Sequence, residues 1–375
     1  MNYKYFDNAS TTKPSDNVIK CYNNYLEDYF NPSSLYLPSN QVKKNIEQSR
    51  LKILKLLNAQ PKSYFIFTSS ATESNNTALK NGIRRKDKKA IITMGEHSSV
   101  YNHAVALKNE GYDIEFANLC GDGTVNIEHL LSLIDEKTTF VSIIHVNNET
   151  GAINDIEKIA KVIKQKNRNI IIHVDGVQAV GKVKIDLFKL DINFYTISAH
   201  KINGVRGVAG LYVRYPEKFI PYLIGGGQEN AFRGGTENYA AIMSFYTALS
   251  ETILHLNNHF EEYKKLFLNN LVKDNLLIVS DKNCVNNIIC ICYKNVRAET
   301  LQYMMQDKGF LIGIGSACNS RHRDNRVLEN MNIHKEYIEG SIRISFGEDI
   351  TKNDIIDLAK ALNNCTKEYR EKVSK

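Results

Sequence analysis

Phe194-Tyr195-Thr196-Ile197-Ser198-Ala199-His200-Lys201 is an apolar run that breaks into small and polar residues and ends on a lysine. The pattern reads as a buried strand that opens into a loop. A second run, Ile170-Ile171-Ile172-His173-Val174, ends the same way, in Asp175-Gly176-Val177-Gln178. Other β-rich runs fall at Tyr64–Thr68, Ala90–Thr93, Ile114–Phe116, Thr139–Val146 and Val208–Val213, mostly separated by helix-like segments. That alternation predicts an α/β fold whose large domain is a mainly parallel, seven-stranded sheet with helices on both faces. Open sheets of this kind place ligands in the crevice outside the carboxyl ends of their strands. Lys201 and Asp175 are both expected there. A lone lysine beside a strand end is usually just solvated, so the weight rests on the two residues together.

From about Ala240 the pattern becomes a long helix, continuing through His259-Phe260-Glu261-Glu262-Tyr263-Lys264-Lys265-Leu266. Beyond it, strands are expected at Leu276–Ser280, Asn287–Tyr293, Phe310–Ile314 and Ile342–Phe346, with helices over Val296–Asp307 and from Thr351. This is the outline of a smaller α+β domain. At 375 residues the chain exceeds what one compact core usually serves. We expect a large domain over 13–253 and a small one formed by 1–12 and 254–375. Hydrophobic content of 43% and charged content of 24% are ordinary for a globular protein. The net charge of +7 comes from lysines that are spread out and interrupted by acids, so a dedicated nucleic-acid face is not expected. No apolar run is long enough for a bilayer, and the start, Met1-Asn2-Tyr3-Lys4-Tyr5-Phe6-Asp7, lacks the plan of a secretory signal. Seven scattered cysteines argue against a disulfide framework, and we expect a reducing, cytoplasmic location.

A lysine and an aspartate at the same sheet edge point to pyridoxal 5'-phosphate. The lysine would hold the cofactor as a Schiff base, and the aspartate would keep the pyridine nitrogen protonated. Several other stretches occur in order along the chain: Thr68-Ser69-Ser70-Ala71-Thr72-Glu73-Ser74-Asn75-Asn76, Glu96-His97, Val146-Asn147-Asn148-Glu149-Thr150-Gly151, Arg233-Gly234-Gly235-Thr236-Glu237-Asn238, Gly315-Ser316-Ala317-Cys318 and Ser341-Ile342-Arg343-Ile344-Ser345-Phe346-Gly347. With His173-Val174-Asp175 and Ser198-x-His200-Lys201 they resemble the cysteine desulfurases, a branch of the class V aminotransferases. The resemblance runs from Asp7-Asn8-Ala9-Ser10-Thr11-Thr12 nearly to the C-terminus. It implies fold type I of the pyridoxal-phosphate enzymes, with the N-terminal dozen residues folded back onto the small domain.

Ser70-Ala71-Thr72-Glu73 reads as a capping box between a strand and a helix, where free amides and the helix dipole suit a phosphate. The resemblance assigns Ala71, Thr72, Ser198 and His200 to the phosphate, and gives Thr236 the phosphate of a neighbouring subunit, hence a homodimer. It assigns His97 to ring stacking and proton transfer, Gln178 to the ring hydroxyl, and Asn148 and Arg343 to the substrate carboxylate. The same correspondence makes Cys318 the nucleophile that takes sulfur from L-cysteine, leaving a persulfide and L-alanine. Its small polar neighbours and the following Arg321-His322-Arg323-Asp324-Asn325-Arg326 read as a mobile, exposed loop whose cations favour a thiolate. Cys290 and Cys292 lie in an apolar strand and, with Cys284, show no zinc spacing.

The chain departs from the family pattern in three places. Gly313 and Ile314 stand where Ser-Ser is common before Gly315, and a histidine common after Asn31-Pro32 is replaced. The chain also ends soon after its last helix, expected over Asp354–Val373, without the longer tail used to dock an iron–sulfur scaffold. A sulfur-acceptor protein, either such a scaffold or a tRNA-thiolation enzyme, is expected, with no membrane and no direct nucleic-acid contact. Selenocysteine lyase, another class V aminotransferase, and a scaffold protein with a decayed site are the alternatives.

Overall fold

The computed structural model describes residues 3–254, 259–315 and 325–373. Its strands are β1 (Lys4–Phe6), β2 (Tyr64–Thr68), β3 (Lys89–Thr93), β4 (Asp113–Ala117), β5 (Thr138–Ile144), β6 (Ile171–Asp175), β7 (Phe194–Ser198), β8 (Ala209–Val213), β9 (Leu276–Ile278), β10 (Ile288–Tyr293), β11 (Phe310–Ile314) and β12 (Ser341–Ser345). Seven of them form one sheet in the order β2-β8-β7-β6-β5-β3-β4. Strand β8 runs antiparallel to both β2 and β7, and the other neighbours are parallel. Every residue of β7 and β8 is buried, as a sheet covered on both faces requires. Strands β6 and β7 are adjacent, with Asp175 opposite Thr196, so Asp175 and the turn Ala199–Lys201 leave the sheet at the same edge.

The other described strands form a second sheet, β1-β11-β12-β10-β9. The N-terminal strand enters it as the parallel partner of β11. Strand β10 shows why the two sheets pack as one body: alternation sends Ile289 and Ile291 into the second sheet's core, while Cys290 and Cys292 join the core of the large sheet. The long helical pattern is described as Tyr239–Leu254 and His259–Asn269. Residues 255–258 between them lie outside the described residues, as does Cys318.

Candidate functional site

Two donors meet on one oxygen at the carboxyl edge of the large sheet. The Lys201 Nζ donates to the Ala9 carbonyl at 2.7 Å and to that of Ser10 at 2.6 Å, and the Gln178 Nε2 donates to the same Ala9 carbonyl at 2.8 Å. Asp175, 3% exposed, closes this group from the end of β6. Its Oδ2 accepts from the Asn75 Nδ2 at 2.8 Å and its Oδ1 from the Val177 amide at 3.0 Å. Gly176 follows it because the Tyr195 ring passes 2.0 Å from where a Cβ would stand.

His97 is the N-cap of the helix Ser98–Asn109, with its Nδ1 accepting from the Ser99 amide. Burial holds its pKa below the ordinary value, against the pull of Asp175 and with Lys201, Arg326 and Arg343 adding to the lowering. The Ser99 hydroxyl, 2.9 Å from the His97 Nδ1, also accepts from the Asn75 side chain that donates to Asp175, and this ties His97 to the site. The His200 Nδ1 lies 3.2 Å from the Thr11 hydroxyl, and burial, then Lys201, pushes its pKa down to about 4.

The helix Ala71–Gly82 starts at Ser70, whose side chain accepts from the Glu73 amide at 3.2 Å. Only half of the expected capping box forms. The Glu73 carboxylate turns away to the Ser69 amide and hydroxyl and to Arg233, at 2.8 Å from its Nε. Burial works to raise Glu73, but Arg233 and Ser69 outweigh it and hold the carboxyl below its usual range. This ion pair ties the helix start to the segment carrying Thr236, which is exposed. Upstream in that segment, Glu229, Asn230 and Ala231 all have positive φ (47°, 54° and 64°). Glu229 is fixed by Arg50, at 2.7 Å, beneath β2. Nothing local in the sequence announced this buried pair.

Arg343 enters from β12 and is 6% exposed. Its Nη1 donates to the Asn148 carbonyl at 2.8 Å and its Nη2 to the Asp7 Oδ1 at 2.7 Å. Asp7 is a site residue that sequence reasoning passed over. Its guanidinium partner is the one expected to receive the substrate carboxylate. The unusual Gly313 bears on this contact, since a Cβ there would meet the Asp7 Oδ1 at 2.5 Å and the Arg343 Nε at 3.1 Å. Glycine is the residue that admits the Asp7–Arg343 pair in this geometry.

Arg326 corrects the reading of an exposed loop through residue 326. It opens the helix Arg326–Asn330 and is 7% exposed. Its guanidinium donates to the Met94 and Glu96 carbonyls and lies 3.8 Å over the Tyr101 ring. It is therefore committed to the strand exit beside His97. Residues 321–324, like Cys318, lie outside the described residues.

The donor set fits pyridoxal phosphate. The amides of Ala71 and Thr72 open a helix without protein acceptors among the described residues, as a phosphate requires. The Gln178 Oε1 is buried with no partner among the described residues, so a polar atom awaits a hydrogen-bonding group beside Lys201.

The family described as Aminotransferase class-V matches residues 4–358. The chain is 33% identical to a cysteine desulfurase of Trichormus azollae over 367 residues, covering 95% of this chain and 90% of that one. It is 33% identical to the cysteine desulfurase IscS of Dictyoglomus turgidum (94% and 91% covered) and 32% identical to the cysteine desulfurase NifS of Azotobacter vinelandii (94% and 89%). Among solved structures, a NifS-like protein superposes with a TM-score of 0.90 at 29% identity, covering 98% of this chain and all of the other (100%). One from Rickettsia africae gives 0.86 at 31% identity, covering 97% and 99%.

Proposed function

The chain belongs to the class-V aminotransferase family, among its cysteine desulfurases, and from that premise we propose that it converts L-cysteine to L-alanine and takes up the sulfur on Cys318. The observation that carries the reading is the convergence of Lys201 and Gln178 on the Ala9 carbonyl beside buried Asp175, with Arg343 bridging Asn148 and Asp7. Amine, carboxylate and guanidinium are the groups needed to hold the cofactor and an amino acid together.

When bound, pyridoxal phosphate supplies an electron sink for the substrate's α-carbon. Lys201 would carry the cofactor through its amine and, once released from it, move the α-proton. Asp175, which accepts from the Asn75 side chain and the Val177 amide, would hold the ring nitrogen protonated. The first-turn amides of Ala71 and Thr72, with Ser198 and His200, would receive the phosphate. Arg343 would exchange Asp7 for the substrate carboxylate, a bidentate match for a guanidinium, with Asn148 alongside. Cys318, as a thiolate, would attack the substrate sulfur, so that an S–S bond forms as the substrate's C–S bond breaks. The sulfur stays as a persulfide, and the carbon skeleton keeps that bond's electron pair and leaves, once protonated, as alanine.

We extend the proposal to a homodimer in which Thr236 reaches the neighbouring subunit's phosphate. Apolar side chains stand exposed near this part of the chain, Ile224 at 90%, and on the Leu35–Leu37 stretch, Leu35 at 94%. A dimer would cover these side chains. We propose the domain division at 13–253 against 1–12 with 254–375. No described helix is long and apolar enough to cross a membrane, and we propose a cytoplasmic enzyme serving an iron–sulfur scaffold or a tRNA-thiolation enzyme. The test is turnover of L-cysteine by the cofactor-loaded protein with a thiol reductant. Alanine and sulfide should appear in equal amounts, and Cys318→Ser should release neither at a useful rate. A keto acid in place of alanine would show an aminotransferase instead.

A further inference from the structure

A line of hydrogen bonds runs from Asp175 to His97. The Asn75 Nδ2 donates to the Asp175 Oδ2 at 2.8 Å and to the Ser99 Oγ at 2.8 Å. The Ser99 Oγ lies 2.9 Å from the His97 Nδ1, which also accepts from the Ser99 amide at 3.2 Å. Every proton in this line can be assigned from chemistry. A carboxylate only accepts, so the Asn75 atom facing Asp175 has to be the amino nitrogen. Both amide hydrogens are then spent, and the Asn75 Oδ1 is buried with no partner among the described residues. Ser99 receives from Asn75, so its own hydrogen is directed on to the His97 Nδ1. A backbone amide can only donate, and it points at the same nitrogen. Nδ1 is thus an acceptor towards both groups, which leaves Nε2 to carry the proton of the neutral ring.

We propose that Asn75 and Ser99 are positioning residues that lock neutral His97 as its Nε2–H tautomer, with the charge on Asp175 setting the direction of the whole line. The inference rests on the reading that His97 lies against the cofactor in the loaded enzyme. Burial, which lowers the pKa of His97, favours the neutral ring at neutral pH. The charged and titratable groups facing it are Asp175, Lys201, Arg326, Arg343 and His200. The consequence is a division of labour. His97 starts each turnover with a hydrogen to give at Nε2, since Nδ1 is held by its own helix cap. Taking up the α-proton therefore falls to Lys201. Neither Asn75 nor Ser99 needs to touch the substrate for this.

The experiment is long-range proton–nitrogen NMR of the cofactor-loaded enzyme carrying labelled histidine, with His97→Gln to assign the signals. The expected wild-type pattern is a bare Nδ1 and a protonated Nε2. Asn75→Asp is nearly isosteric but offers Ser99 an acceptor in place of a donor. The Ser99 hydroxyl then turns round, Nδ1 gains proton character, and the His97 midpoint moves to higher pH. Ser99→Thr keeps the hydroxyl and the amide and should keep the wild-type pattern. A protonated Nδ1 in the wild type, or Asn75→Asp with an unchanged pattern and midpoint, overturns the proposal. The readout does not depend on turnover. Enzyme that shows the lock but releases no alanine from L-cysteine contradicts the proposed function alone, and enzyme that releases alanine with Nδ1 protonated contradicts the lock alone.

Discussion

Glu229→Gln should destabilise the protein by about 3 kcal/mol and loosen the segment that carries Arg233 and Thr236. The Glu229 carboxylate, 4% exposed, accepts from the Arg50 Nη1 at 2.7 Å, the Arg50 Nη2 at 3.0 Å and the Phe67 amide at 2.8 Å. Glutamine keeps the volume, so no cavity contributes to the loss. It removes the charge and turns one acceptor into a donor aimed at a guanidinium that is itself 2% exposed. Breaking one side of a buried pair costs about 3–5 kcal/mol. Glu47 stays on Arg50 at 3.0 Å, but its side chain is 42% exposed, so it returns at most about 1 kcal/mol. The figure of about 3 kcal/mol follows. Glu229, Asn230 and Ala231 also hold left-handed backbone, at a cost of order 1–3 kcal/mol each. With the pair broken that strain has less to oppose it. Chemical denaturation at fixed protein concentration, followed by circular dichroism, gives the stability, and absorbance titration gives cofactor affinity. Pairing the change with Arg50→Met should recover part of the loss, because no charge is then stranded. A loss under about 1 kcal/mol with cofactor affinity unchanged would refute the view that this ion pair holds the segment.

Lys201→Ala is expected to abolish turnover, and borohydride should no longer fix the cofactor to the protein; substantial alanine release by the variant would reassign the amine. Asp175→Ala should fold and still bind the cofactor but lose more than tenfold in rate, the equivalent of about 1.4 kcal/mol. Activity within about twofold would point to another partner for the ring nitrogen. Lys182 lines a cavity of about 520 Å³ that Lys201 also lines, and burial, then Lys201, lowers its pKa to about 7. The unfolded chain therefore binds more protons than the folded one between about pH 7 and the free-lysine value of about 10.4, and this group's contribution to stability rises with pH across that window. Lys182→Met should accordingly stabilise the protein more at pH 6 than at pH 10 in denaturation curves. An equal gain at both pH values would show that Lys182 is not held neutral.

The elements that were legible in the sequence are those whose signal is local. β2, β7 and β11 begin and end where the residues predict, because each is an apolar run bounded by turn-forming or small residues. β9 stops at Ile278, short of the expected Ser280, because the Val279 and Ser280 amides both turn to the Cys290 carbonyl and the ladder breaks there. Lys201 and Asp175 were expected at one sheet edge because strand ends concentrate ligand contacts, the resemblance added Gln178, and the structure gathers all three around Ala9 and β6. Asp7 and Glu229 were not readable. Each gains its meaning from a guanidinium far away in sequence, Asp7 from Arg343 and Glu229 from Arg50. Arg326 was misread for the same reason, since a cation at the end of a polar stretch gives no sign that backbone carbonyls and an aromatic ring await it.

The central claim is that sulfur passes from L-cysteine to Cys318, and peptide mass analysis tests it most directly. Cofactor-loaded wild type, given L-cysteine and denatured without reductant, should carry one additional sulfur on the peptide containing Cys318, and dithiothreitol should remove it. Cys290 and Cys292 are 1% and 0% exposed and should stay unmodified. An extra sulfur on the peptide carrying Cys290 and Cys292, or alanine released with Cys318 never modified, would contradict the account.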